Sequence, residues 1–166
     1  YGAAVEAHEH GTPVLRPMML EFPEDPACDT LDRQYMLGDK LLVAPVFTKA
    51  GDVQYYLPNG TWENLLTGDT AEGNCWQKEK HGFMTLPLMV RPGTGLPLGK
   101  CDTRPDYDYA DGVELHVYHL TEGATAVCRI PALDGSIAAT YTVSMVNGKP
   151  RVETDATKPY TVVIHA

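Results

Sequence analysis

Residues 31–46 read Leu31-Asp-Arg-Gln-Tyr35-Met-Leu-Gly38-Asp-Lys-Leu-Leu-Val-Ala-Pro-Val46, and two kinds of local order meet in them. Leu31, Tyr35 and Leu37 recur at helical spacing and stop at Gly38, whereas residues 41–47 form a nearly unbroken apolar run of strand length. The stretch therefore predicts a short helix, a glycine stop and a buried strand. Upstream, residues 21–29 carry Pro23, Pro26 and a run of acids, which predicts an exposed connection with Asp29 or Thr30 as N-cap of that helix. Downstream the pattern turns all-β. Apolar runs at 53–57, 61–66, 83–90 and 96–98 are separated by the turn signals Asn59-Gly60, Gly68-Asp69, Gly73-Asn74 and Pro92-Gly93, the mark of an antiparallel sandwich or barrel.

Working outward to the ends, residues 1–10 are rich in helix formers and run into Gly11, a good helix stop. Residues 14–20 then give an apolar run broken at Arg16 and Pro17, readable as a buried strand. Helix, glycine and apolar strand is the form of the last αβ step of a β/α barrel, and a parallel strand of an open sheet reads the same way. On the other side, residues 101–112 combine acids, Pro105 and Gly112, which predicts a boundary. After it, Val113, Leu115 and Val117 fall on one strand face and Glu114, His116 and Tyr118 on the other. Residues 124–130, 136–146 and 160–164 supply further strands.

Composition narrows the function classes. Fifteen glycines and thirteen prolines in 166 residues exceed average usage of roughly 12% and favour short strands joined by turns. A net charge of −9, spread along the chain, gives no footprint for nucleic acid, which needs clustered Lys and Arg. Cys28, Cys75, Cys101 and Cys128 lie 47, 26 and 27 residues apart, without Cys-x-x-Cys spacing or an adjacent His, so free thiols in a reducing cytoplasm are expected rather than a zinc site or a disulfide framework. No stretch approaches 18 consecutive apolar residues, so no membrane partner is expected. The chain opens at Tyr1, which suggests an excised piece of a longer protein.

Six motifs occur in one order with tight spacing: Gly11-Thr-Pro-Val-Leu-Arg-Pro17, Glu21-Phe-Pro-Glu-Asp-Pro26, Gln34-Tyr-Met-Leu-Gly-Asp39, Leu42-Val-Ala-Pro-Val46, Tyr56-Leu-Pro-Asn-Gly-Thr-Trp62 and Thr67-Gly68. The series resembles the C-terminal part of glycoside hydrolase family 31, above all its bacterial α-xylosidases, end to end but more weakly after about residue 112. The resemblance implies a mainly β fold: two small antiparallel β-sandwich domains preceded by the last α/β segment of a (β/α)8 barrel. Residues 1–23 would be that last barrel segment, 24–104 a proximal C-terminal β-sandwich and 105–166 a distal one. It also implies a parent that hydrolyses α-xylosyl or α-glucosyl bonds with retention, through two aspartates, without metal or organic cofactor. Neither of the family's catalytic aspartate motifs is in this chain, so no catalytic, cofactor-binding or metal residue is expected here.

The residues themselves agree. Retention needs two carboxyl groups about 5 Å apart across the scissile bond. Glu21, Glu24, Asp25, Asp29 and Asp32 cluster in sequence, but on a proline-broken connection where solvated carboxylates are the expectation. His8 and His10 could bind metal, yet i and i+2 on a helix face apart by roughly 200°. Arg16 stands at the end of the expected barrel strand and reads as half of a structural ion pair. Asp106, Asp108, Asp111 and Glu114 invite a calcium reading but miss the EF-hand template, which leaves an acidic linker. Trp62, Trp76, Tyr55, Tyr56, Tyr107 and Tyr109 could form sugar platforms and read first as packing residues; of the adjacent Tyr55 and Tyr56, one should face outward.

The chain is thus expected to be scaffold for a catalytic barrel that acts on a carbohydrate, with the barrel as its partner. The alternative is a free-standing carbohydrate-binding β-sandwich module, which would have no use for residues 1–20. Severed from a barrel, those residues should expose Val14, Leu15, Met18, Met19 and Leu20, and self-association through residues 1–20 is the expected outcome.

Overall fold

The computed structural model describes residues 1–166. In chain order the elements are α1 (Gly2–His10), β1 (Leu15–Arg16), α2 (Met18–Glu21), β2 (Tyr35–Leu37), β3 (Leu41–Val43), β4 (Asp52–Leu57), β5 (Thr61–Asn64), β6 (Thr70–Glu72), β7 (Cys75–Lys80), β8 (Leu88–Val90), β9 (Thr94–Leu98), β10 (Val113–Tyr118), β11 (Thr125–Pro131), β12 (Ile137–Val146), β13 (Lys149–Thr154) and β14 (Tyr160–His165). They form two compact units. The first is Thr12–Pro92; the second joins Gly93–Ala166 to Tyr1–Gly11.

The first unit holds a six-stranded antiparallel sheet in the order β1-β2-β3-β8-β5-β6 and the two-stranded ribbon β4-β7. One apolar cluster joins them: Met36, Leu42, Met89 and Trp62 from the sheet, Tyr55, Tyr56 and Leu57 from β4, and Met18 and Cys28 from the preceding segment. Burial of large apolar side chains, worth about 1.5–3 kcal/mol each, is what holds ribbon to sheet.

Four sequence expectations are corrected in this unit. Residues 31–37 are not helical: Tyr35–Leu37 pairs antiparallel with Leu41–Val43, and Gly38, at φ 62°, supplies the left-handed residue of the turn between them. Leu31, Tyr35 and Leu37 fit helical spacing, but Tyr35 and Leu37 also fit a period of two, and the following strand offers hydrogen-bond partners that a single helical turn lacks. The expected strand at 14–20 is extended only at Leu15–Arg16, which pairs antiparallel with Leu37–Met36; Pro17, at φ −62° with an extended ψ, then caps a single helical turn from Met18, where its missing N–H breaks no intrahelical bond. The run 83–90 becomes a strand only at Leu88–Val90, and residues 81–87 are a loop. Tyr55 and Tyr56 are both buried, because residues 22–28 cover the ribbon face that the sheet does not.

The second unit pairs the sheet β14-β10-β9 with the sheet β11-β12-β13. The alternation read in residues 113–117 is realised: Val113, Leu115 and Val117 are buried and meet Cys128, Ile130, Tyr141 and Val143 of the facing sheet. Strand β14 runs parallel to β10, the one parallel pairing of the molecule. Gly95 lies in β9 where a Cβ would sit 2.4 Å from Cys128 Sγ, so only glycine fits beneath that thiol. The two compact units divide at Pro92/Gly93, ahead of the acidic segment 101–112, whose flanking strands β9 and β10 pair with one another. Residues 1–11 group with the second unit and residues 12–23 with the first. Helix α1, ended at Gly11 as expected, belongs with the second unit, where Tyr1 donates its hydroxyl proton to Leu133 O at 2.8 Å and its ring meets Tyr109 at 5.4 Å.

Candidate functional site

The acids that cluster in sequence are drawn to separate partners. Glu21 accepts from Arg16 Nη1 at 2.7 Å and from Arg91 Nη1 at 2.9 Å, and the Arg91 guanidinium lies over the Phe22 ring, 4.5 Å from its centroid. Arg16, whose Nε donates to Pro13 O, is therefore the expected structural pair. Asp25 caps the short 3-10 turn Pro26–Cys28 by accepting from Ala27 N, and its other oxygen accepts from Tyr56 Oη at 3.0 Å. The exposed connection is thus anchored at Glu21 and Asp25. Burial, then this hydrogen bond, pushes the Tyr56 phenol up to about 12. Burial also pushes the Cys28 thiol up to about 11, with Asp25 and Asp29 adding to it.

The other acids are likewise dispersed. Asp108 pairs with Lys158 and Asp111 with Lys100, while Glu114 faces His116. His8 and His10 lie on α1, where His10 Nε2 stands 3.8 Å from Glu9. No three metal-ligating side chains converge anywhere in the chain. Among the aromatics, Trp62 is fully buried and donates through Nε1 to Pro58 O at 2.8 Å. Tyr107 and Tyr109 pack edge to face at 4.8 Å. Trp76 alone of the six stands largely outward, 53% exposed, its ring 5.9 Å from Tyr56.

The feature that sequence reasoning missed is the loop of residues 81–87. Tyr55 donates to Glu79 Oε1 at 2.5 Å, Glu79 Oε2 meets His81 Nε2 at 2.7 Å, and His81 Nδ1 meets Thr85 Oγ1 at 3.1 Å. Burial and the Glu79 hydrogen bond hold the Tyr55 phenol far above its ordinary range. His81 N also bonds Gly51 O at 2.9 Å. The start of the loop is thus fixed from the ribbon and its end by Asn64 and Ala44, which donate to Leu86 O and Pro87 O, and its tip presents Phe83 and Met84 to solvent, with Phe47 70% exposed elsewhere in the same unit. The tip carries no titratable or nucleophilic group, and its exposed surface is apolar. The signal was present in His81-Gly82, a polar-glycine start that does not suit a strand.

Comparison with known proteins decides the lineage. The profile of the Glycosyl hydrolase family 31 C-terminal domain matches residues 11–95, and that of the Alpha-xylosidase YicI, C-terminal domain, matches residues 108–166. The chain belongs to glycosyl hydrolase family 31. It is 42% identical over 122 residues to an Alpha-xylosidase of Emericella nidulans, covering 69% of this chain and 16% of that protein. It is 32% identical over 167 residues to Alpha-xylosidase XylQ of Lactiplantibacillus pentosus, covering 98% of this chain and 22% of that one. The family 31 chain therefore spans only about a fifth of the length of the curated relatives it matches. A GH31 dextranase from Flavobacterium johnsoniae superposes with a TM-score of 0.83 over 98% of this chain and 23% of its own, at 23% identity, a likeness of fold. The β-rich architecture and the accessory, C-terminal character of the family 31 chain stand on these matches.

Proposed function

We propose that this chain braces the catalytic barrel of a retaining family 31 α-glycosidase acting on α-xylosyl or α-glucosyl bonds, and that hydrolysis is carried by residues outside it. The observation that supports this is the tied loop: Phe83 and Met84 are held out in water by the Tyr55–Glu79–His81–Thr85 chain of hydrogen bonds. Exposing two such side chains forfeits about 1.5–3 kcal/mol each, which a barrel surface seated on the tip would recover. Leu15, Met19 and Leu20, each about half exposed, extend the apolar surface of this unit. Without a barrel, they and the tip give the chain the means to associate with a second copy of itself. Four free thiols, Cys28, Cys75, Cys101 and Cys128, support residence in a reducing cytoplasm.

The test is complementation. The barrel-bearing part of the parent, produced as a separate polypeptide, should co-purify with this chain and cleave an aryl α-xyloside or aryl α-glucoside. The Phe83→Ser, Met84→Ser variant should lose both properties while staying folded. Turnover by this chain alone, or a double variant that complements fully, would overturn the reading.

A further inference from the structure

On the outward face of β10, Glu114 and His116 stand two residues apart, and His165 lies on the same face of the neighbouring parallel strand β14. The register pairs His116 with Val163 and Tyr118 with His165, so His116 and His165 are diagonal neighbours, within reach of long side chains across a ladder. Their rings meet nitrogen to nitrogen: His116 Nδ1 is 3.0 Å from His165 Nε2. Tyr118 stacks on the His165 ring at 4.0 Å with 21° between planes, which fixes the direction of that ring. Glu114 Oε2 lies 3.4 Å from His116 Nε2.

The tautomers follow from the partners. A carboxylate only accepts, so Glu114 favours the His116 tautomer with its proton on Nε2, and the Nδ1 lone pair is then directed at His165. A carboxylate on the far nitrogen of a histidine whose near nitrogen is a bare lone pair is the second-shell arrangement that orients metal-binding imidazoles. The spacing agrees with it. Two imidazole nitrogens on one zinc ion at about 2.0–2.1 Å, opened to the tetrahedral angle, stand about 3.3 Å apart, only a few tenths of an ångström wider than the separation observed here.

We propose that His116 Nδ1 and His165 Nε2 form a two-histidine site for a zinc-class divalent cation, oriented by Glu114, with water completing the coordination. On binding, His165 takes its other tautomer, the ring proton standing on Nδ1, so both ligands remain neutral imidazoles. Imidazole suits zinc, copper and nickel. Two protein ligands make an open site, weaker than the four-ligand sites that hold structural zinc. Its consequence is mechanical: β14 is the edge strand of its sheet, and an ion shared by β10 and β14 clips that edge in place, stabilising the second unit by mass action.

The test uses the full chain with Cys75→Ser and Cys101→Ser, which removes the two more accessible thiols, and zinc chloride as probe. Calorimetric titration should give one ion per chain and a rise in unfolding midpoint with zinc concentration. His116→Gln and His165→Gln should each abolish binding, Glu114→Gln should weaken it about 10–100-fold, and His8→Gln with His10→Gln should leave it unchanged. Long-range 1H–15N spectra of the chain with both histidines intact give a readout independent of how the variants fold. Zinc should shift His116 Nδ1 and His165 Nε2 while His116 Nε2 keeps its proton. No saturable binding, binding that survives both histidine substitutions, or zinc-induced shifts confined to His8 and His10 would each overturn the proposal.

Discussion

Arg16 and Glu21, five residues apart, close an ion pair of 2.7 Å across the turn from β1 through α2, with the Arg16 side chain 3% exposed and Glu21 13%. The same carboxylate reaches Arg91, whose side chain is 29% exposed, at 2.9 Å. One carboxylate thus ties the entry segment of the first unit to the end of β8. A buried cation depends on its carboxylate partner, because the Coulombic attraction is what offsets much of its desolvation.

Glu21→Ala is therefore expected to destabilise the first unit by about 3–5 kcal/mol, since it takes a close carboxylate from the buried Arg16 charge. Arg91→Ala, at the wetter end, should cost about 1 kcal/mol or less. Urea unfolding followed by the fluorescence of buried Trp62 measures both. Equal losses would mean that burial does not set the value of the two pairs.

In the second unit, Gly95→Ala should cost about 1–3 kcal/mol through overpacking, because its methyl group would meet Cys128 Sγ at 2.4 Å and Ala126 Cβ at 3.6 Å. Cys128→Ala placed on top of it should return part of that loss. Thermal unfolding of the two single variants and the double variant gives the coupling. Strictly additive effects would show that the thiol is not what excludes a side chain at residue 95.

Alkaline pH should weaken the first unit. The Cys28 thiol is raised to about 11 by burial, then by Asp25 and Asp29, and the Tyr56 phenol to about 12 by burial, then by its bond to Asp25. For a group raised by folding, the unfolded chain releases its proton first. The stabilisation is complete below the ordinary thiol value of about 8.5 and is lost as pH climbs through that value toward about 11. Urea midpoints from neutral pH to about 10.5 should fall with rising pH, less steeply in Cys28→Ala. A flat or rising midpoint would contradict this assignment.

What the sequence carried well was periodicity with one available answer. Val113, Leu115 and Val117 alternate, and only a half-buried strand satisfies that alternation. The helix at the start stops at Gly11 because the chain needs a left-handed residue there. Lineage was legible too, since six short motifs held one order. Where two periods fitted, the sequence failed. Tyr35-Met-Leu37 suits one helical turn or one short strand, and the partner that decides between them, Leu41–Val43, enters only through pairing. The Phe83-Met84 pair is apolar by composition, and its exposure follows from a loop whose start, His81, is held through Glu79 by Tyr55 of a different strand.

Taken alone, the sequence determined the family, the dominance of β structure and the absence of the family's catalytic motifs, because these rest on residue types and their order. The tertiary structure alone decided which acids are paired, which aromatics are outward, that α1 belongs with the second unit and that His116 faces His165. Each of these is a meeting of residues distant in sequence or of sides of the backbone, set by register and by what covers each face, and neither is written in the local pattern of a chain.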